Sequence, residues 1–275
     1  MGKKIRKTLK KIPLVSLVYQ IYRYWQERQY EIQFSGNCYG CFRGVYNSFD
    51  EAILSAPKTK PIGYDDLDLA LDYKSSLPDQ IASYDYPVLF WFRKILDQNS
   101  SPPTIFDFGG NVGTHYYTYS HFLDYSHELK WLVCDVPQIV KAGQELADER
   151  NVDLQFTTEF AEANAKQIFI ASGSIQYVQS LSLSLLSKPP VHLLINRLPL
   201  YDGKSFVTLQ NGGKVFYPQY VFNRKEFIDS LSELGYELVD SWQDLVDSCI
   251  IPFHLEHCVF SYSGLYMKLK HDNQN

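Results

Sequence analysis

The segment Ile105-Phe106-Asp107-Phe108-Gly109-Gly110-Asn111-Val112-Gly113 runs from apolar residues through an acid into a cluster of glycines. A buried strand ending this way hands the chain to a helix through a turn whose backbone can take positive φ and approach a ligand closely. The first turn of that helix offers unpaired N–H groups to a carboxylate or phosphate. Two nucleotide patterns fail here. The fingerprint G-x-G-x-x-G would need glycine where Phe108 stands, and no G-K-[ST] completes a phosphate loop.

What remains suits a ligand that carries an ammonium beside a carboxylate, and the methionyl part of S-adenosylmethionine has both. On this expectation Asp107 meets the ammonium end, and the backbone of Gly109, Gly110, Asn111 and Gly113 approaches the rest. Asp135 closes the apolar run WLVCD, 22 residues after Gly113, with Val136 next to it. A carboxylate at a second strand tip accepts hydrogen bonds from ribose hydroxyls, as in the dinucleotide fold. A third element, Ser172-Gly173-Ser174-Ile175-Gln176-Tyr177, follows an apolar run and is expected at the same sheet edge, its small residues leaving room for a nucleoside. An ordinary helix cap on Ser174 is the competing account.

Methyl transfer from a sulfonium is an in-line displacement, so positioning supplies most of the catalysis, and a hydroxyl acceptor gains from a general base. Asp202 and His254 are the first candidates for that base and His115 the third, although His115 also suits a role in shaping the pocket and Tyr-Asp-Gly has the composition of a plain turn. Tyr177, Arg197, Tyr201, Gln210 and Asn211 offer an aromatic face, a planar donor and amides to an acceptor. Cys38-x-x-Cys41 and the His254, His257, Cys258 group lack the second pair that regular zinc spacing requires, so no metal site is expected.

The elements that must position these groups fall into two segments. Residues 1–100 show helical patterns near 47–56, 64–76 and 84–98 with a Gly/Cys turn region at 35–44, and form an expected helical lead-in. From residue 101 short apolar runs alternate with helical ones, the sign of βαβ units and a mostly parallel sheet. Strands are expected at 104–108, 131–135, 154–158, 167–172 and 191–196, with helices near 113–124, 137–149 and 176–187. Residues 197–222 look irregular. Asn223 then caps a helix ended by Gly235, and two strand-like runs at 236–242 and 262–270 close the chain.

The 275 residues suffice for a full core without a metal or disulfide, and a net charge of −5 argues against nucleic acid as a partner. Five cysteines, an odd number, fit free thiols in a reducing cytoplasm. The N-terminus joins a basic run to about 14 mostly apolar residues, too few to span a bilayer, where about 20 are needed. The favoured expectation is a helix packed on the main domain; with Trp25 and its tyrosines the segment can instead make peripheral contact with the anionic inner face of a membrane.

DFGGNVGTHYY (107–117), DVPQIV (135–140), SGSIQY (172–177), INRLPLYDGKSFVTLQN (195–211) and VFNRKEFIDSLSELGYELVDSW (221–242) together resemble a family of S-adenosylmethionine-dependent methyltransferases of the class I, Rossmann-like kind. The resemblance spans most of residues 30–270 and is weakest before residue 80. It implies an α/β fold with a seven-stranded, mostly parallel sheet whose last strand is antiparallel, S-adenosyl-L-methionine as cofactor, and a small-molecule or carbohydrate acceptor. Association of such proteins with bacterial surface polysaccharides points to a sugar hydroxyl, and the DVP turn to an oxygen acceptor. Asn111 stands where the wider class has a glycine, and asparagine tolerates left-handed backbone. A non-catalytic binding or scaffold protein of the same fold, held at a membrane-associated assembly, is the rival expectation.

Overall fold

A computed structural model describes residues 13–98, 103–123 and 129–270. The N-terminal segment contains α1 (Pro13–Ser35), β1 (Cys41–Tyr46), α2 (Phe49–Ser55), α3 (Leu67–Ser75) and α4 (Tyr86–Gln98). Beyond it come β2 (Thr104–Phe108), α5 (Thr114–Tyr119), β3 (Lys130–Cys134), α6 (Pro137–Arg150), β4 (Leu154–Thr157), β5 (Ile168–Ser172) and β6 (His192–Leu198). The chain ends with β7 (Leu200–Tyr201), β8 (Phe206–Asn211), β9 (Phe216–Asn223), α7 (Arg224–Glu233), β10 (Tyr236–Asp244) and β11 (Tyr262–Leu269).

Seven strands form one sheet in the order β10-β11-β6-β5-β2-β3-β4. The pairs from β4 to β6 are parallel, and β11 runs antiparallel to both of its neighbours. This is the Rossmann-like α/β sheet with an antiparallel last strand that the resemblance implies. The central strands are buried on both faces, which is why IFIAS in β5 reads as a continuous apolar run instead of an alternating one. One face packs Val88, Phe92 and Ile95 of α4 and Leu146 of α6 over Ile105, Val133 and Ile170. The other packs Leu231 of α7 over Phe106, Phe169 and Leu193. Pro137 starts α6 at a position where no N–H is needed, and the Asn223 side chain accepts from the Glu226 N–H at 2.9 Å to cap α7.

Four expectations are corrected. Residues 197–222 are not irregular: β8 and β9 form a hairpin around Gly212 and Gly213, so the glycines that seemed to break an element mark its turn. The lead-in is not purely helical, because β1 pairs with β8 in a second sheet of order β1-β8-β9-β7. The helix expected at 176–187 is replaced by 3₁₀ turns at Ile175–Tyr177 and Leu183–Leu185. Its Ser-Leu-Ser-Leu alternation has no helical period, and serines compete for the backbone's hydrogen bonds. Cys38 and Cys41 are joined in a disulfide, whereas Cys134, Cys249 and Cys258 are free and buried.

Among the described residues, the buried contacts of helix α1 lie at its C-terminal end. Phe34 is fully buried and stacks on Phe216 at 5.3 Å, and the Tyr30 hydroxyl donates to the Phe42 carbonyl at 2.6 Å. Leu17, Ile21, Tyr22, Tyr24 and Trp25 are each more than half exposed, so this stretch of the helix does not pack on the domain as expected. No helix among the described residues is long and apolar enough to cross a membrane. Phe34→Ala should cost about 3 kcal/mol, the usual penalty for emptying a buried aromatic site, measurable as a lower urea midpoint.

Candidate functional site

A chamber of about 960 Å³ opens at the carboxyl ends of the parallel strands. β2 pairs with β3 on one side and β5 on the other, so the chain winds outward in two directions from this place, where open α/β sheets bind their ligands. Gly109, Gly110 and Asn111 from the turn after β2 line it, with Asp135 and Val136 after β3, Ser172 at the end of β5, Gly173 and Ser174 beyond it, and Arg197 on β6. The second sheet closes the far side with Gln210 and Tyr217, and the N-terminal segment adds Tyr39, Tyr64 and Tyr73. Tyr64 stacks on Tyr217 at 4.3 Å and meets Tyr177 edge-on at 5.1 Å, and the Tyr177 hydroxyl donates to Gln210 Oε1 at 2.9 Å.

Asp135 holds the turn in shape. Its Oδ2 accepts from the Asn111 N–H at 2.9 Å and its Oδ1 from the Val136 N–H at 2.8 Å. Burial pushes its pKa up to about 6, against those two N–H groups, which hold it down. Each oxygen still has a lone pair to offer. Asn111 takes φ of +58°, the left-handed conformation anticipated for it.

Asp107 is corrected. It is fully buried, does not line the chamber, and is taken up by the protein itself: His115 Nδ1 lies 3.0 and 3.1 Å from its two oxygens, and Trp131 Nε1 donates to Oδ2 at 3.2 Å. His115 does line the chamber. Burial alone would drive its pKa down, but the Asp107 carboxylate beside it raises it to about 9, so it is an imidazolium at neutral pH and not a base. The glycines serve packing as well as access. A Cβ on Gly110 would stand 2.4 Å from the Asp107 carboxylate, and one on Gly109, where φ is +67°, would stand 2.3 Å from Ser174 Cβ.

Gly113 meets Leu154 and Tyr117 and does not line the chamber. Tyr201, Asp202, Asn211 and His254 do not reach it either. Asp202 is exposed in the turn after β7, and Asn211 is buried, donating to the Phe34 carbonyl at 2.6 Å. His254 stands with Glu256 and His257, ligand-type atoms within 4.8 Å of one another, on the turn before β11. Ser174 caps no helix with its side chain, and its hydroxyl donates to the Phe108 carbonyl at 2.6 Å.

Three groups escaped the sequence reading. Asp85, on the 3₁₀ turn before α4, is buried against the tips of β5 and β6, where Ser172 Oγ and Asn196 Nδ2 donate to it at 3.3 and 3.1 Å. Asn196 Oδ1 accepts in turn from Trp242 Nε1 at 2.9 Å. Asp247, after β10, lines the chamber and accepts from Arg197 Nε. The amide ending the apolar run VHLLIN is a usable signal for Asn196. Nothing local marks Asp85 or Asp247.

No protein-family model and no curated protein matches the sequence. Among solved structures, the chain is similar to a 1,6-didemethyltoxoflavin-N1-methyltransferase from Burkholderia thailandensis, with bound 1,6-didemethyltoxoflavin and S-adenosylhomocysteine, at 15% identity over 74% of this chain and 88% of that one (TM-score 0.45). A magnesium protoporphyrin IX methyltransferase from Synechocystis with bound SAM aligns at 13% identity over 76% and 87% (TM-score 0.43). An S-adenosylmethionine-dependent methyltransferase from Clostridium acetobutylicum aligns at 8% over 74% and 98% (TM-score 0.46).

Because the folded pKa of His115 lies above its unfolded value, its contribution to stability is complete below pH 6.5 and lost as pH rises through about 9. The free energy of unfolding should therefore fall over that interval, by on the order of 3 kcal/mol at most. Denaturant titrations of His115→Gln should show that slope abolished; an unchanged slope places the titration elsewhere.

Proposed function

We propose that the chain transfers a methyl group from S-adenosylmethionine to an oxygen of a small-molecule acceptor, with a sugar hydroxyl the preferred one. The observation that carries this reading is the chamber at the switch point between β2 and β5, with Asp135 facing it from the tip of β3 and small residues bordering it on either side. Its size, near the top of the usual range for ligand sites, suits a nucleoside and an acceptor together. The donor set fits as well: Asp135 has lone pairs for ribose hydroxyls, and Gln176 in the chamber's lining keeps a buried Oε1 with no hydrogen-bond partner among the described residues.

S-adenosylmethionine supplies a methyl group on a cationic sulfur, open to displacement by an oxygen in line with it. Gly109, Gly110, Asn111, Val136, Ser172, Gly173 and Ser174 would border the nucleoside, and the His115 imidazolium would stand beside its carboxylate. Tyr177, Arg197 and Gln210 face the acceptor. Asp247, which lines the chamber where Asp202 and His254 do not, is the group to receive the hydroxyl proton.

Asp135 must be ionised to accept from two hydroxyls, so affinity for S-adenosylhomocysteine should rise as pH passes through about 6 and level off above it. Asp135→Ala should weaken binding ten-fold or more by calorimetry, about 1.5 kcal/mol. No binding by well-folded wild-type protein would instead support a scaffold without methyl transfer.

The exposed apolar face of α1 and the six basic residues Lys3, Lys4, Arg6, Lys7, Lys10 and Lys11 ahead of it support peripheral contact with an anionic lipid surface. Those six lie outside the described residues. Liposomes containing phosphatidylserine should float the whole chain but not one lacking residues 1–25; equal flotation, or dimerisation without flotation, overturns the lipid contact.

A further inference from the structure

At the tip of β6 Arg197 takes φ of +53°, a left-handed conformation that long side chains rarely adopt. It falls where the pairing of β11 with β6 slips, between Ser263 opposite Leu198 and Leu265 opposite Ile195. Bulges and positive φ recur where a strand must re-aim a side chain into a site. Several groups hold the result in place. Asp247 accepts from Nε, the Tyr84 ring lies 4.2 Å from the guanidinium carbon, and the Gln176 amide donates to the Arg197 carbonyl at 3.2 Å. Gly173, whose φ of +67° favours glycine, lies beside the guanidinium: a Cβ there would stand 3.4 Å from Nη1, in ordinary contact.

Arg197 lines the chamber, yet its Nη groups donate to no partner among the described residues. A guanidinium fixed through Nε keeps the two Nη groups as a planar fork, matched to a group with two oxygens in one plane. Because Asp247 cancels the charge at long range, selection by this fork comes from hydrogen-bond geometry at contact.

We propose that Arg197 binds an oxyanion on the acceptor, a carboxylate or a phosphate, and so restricts the chamber to acidic sugars. This rests on the methyltransferase reading above. The acceptor is favoured over the donor by position: β6 is separated from β2 by β5, about 10 Å between the two backbones across the sheet, and the side chain that the glycine turn's own helix points to the chamber is His115. Tyr177, next to the Gln176 that bonds the Arg197 carbonyl, lines the chamber and holds Gln210 of the second sheet through its hydroxyl. Their ring and amide suit the apolar face and the hydroxyls of a pyranose.

The test begins with the affinity of wild type for S-adenosylhomocysteine. If that is absent the methyltransferase reading fails by itself, and the sugar titrations are run without it. Calorimetry with glucuronate, glucose 1-phosphate and glucose then separates a carboxylate source from a phosphate source. One of the two anions should bind at least ten-fold tighter than glucose. Arg197→Gln should erase that preference while changing S-adenosylhomocysteine affinity less than three-fold, which also shows that the variant is folded, and Arg197→Lys should retain part of it. No preference for either anion over glucose overturns the proposal, as does a preference that survives Arg197→Gln. So does a ten-fold loss of S-adenosylhomocysteine affinity in Arg197→Gln with methylthioadenosine affinity unchanged, which would give the fork to the donor's carboxylate.

Discussion

A carboxylate shut away from water is tolerable only where donors reach it from the surrounding structure, and Asp107 at the tip of β2 has no exposure at all. The answer comes from two directions. Trp131 reaches it from the adjacent strand, and His115 from α5, two residues into the helix that the turn begins. The carboxylate occupies the volume that a side chain at residue 110 would need, so the shape of the turn is set by this buried pair before any ligand is considered. The turn then presents the Asn111 N–H to Asp135, and the two strand tips become one rigid rim.

The rim alone would be an open ledge. What makes it a chamber is chain from far away in sequence. Tyr84 and Asp85, ahead of α4, pack into the tips of β5 and β6 through Asn196 and Ser172. The β8–β9 hairpin, with β1 along its edge, brings Gln210 and Tyr217 across from the glycine turn. Leaving any one of these buried polar groups unpaired would cost about 1–3 kcal/mol, so the network selects one arrangement of lead-in, sheet and hairpin.

The contrast between legible and illegible parts follows from how local each determinant is. β2, β5 and β6 show as apolar runs because burial on both faces is a property of five consecutive residues, and α7 shows because Asn223 and Gly235 punctuate it. Asn111 was legible too, since its side chain is one of few that accept left-handed backbone. The hairpin after β7 was hidden because Gly212 and Gly213 read equally as a break or as a turn, and only the partner strand β1, more than 160 residues earlier, decides between them. Asp107 illustrates a different failure. Its type and position were right for a ligand, but whether a strand-tip acid faces the chamber or the core depends on Trp131 and His115, which no spacing rule connects to it.

The same pairing explains how charges divide between the two halves of the chamber. His115 is an obvious base by residue type, yet its proximity to Asp107 keeps it protonated at neutral pH, so it can hold an anion but not take a proton. Arg197 is paired as well, but through Nε alone, and its partner Asp247 faces the chamber, whereas Asp107 is sealed beneath it. One ion pair therefore offers the chamber its cation alone, and the other keeps both of its members available to a bound molecule. On the proposed reaction that asymmetry is what directs chemistry: the hydroxyl proton has the Asp247 carboxylate to go to on the acceptor side. The acceptor's orientation is then set by the same arginine that holds that carboxylate in place.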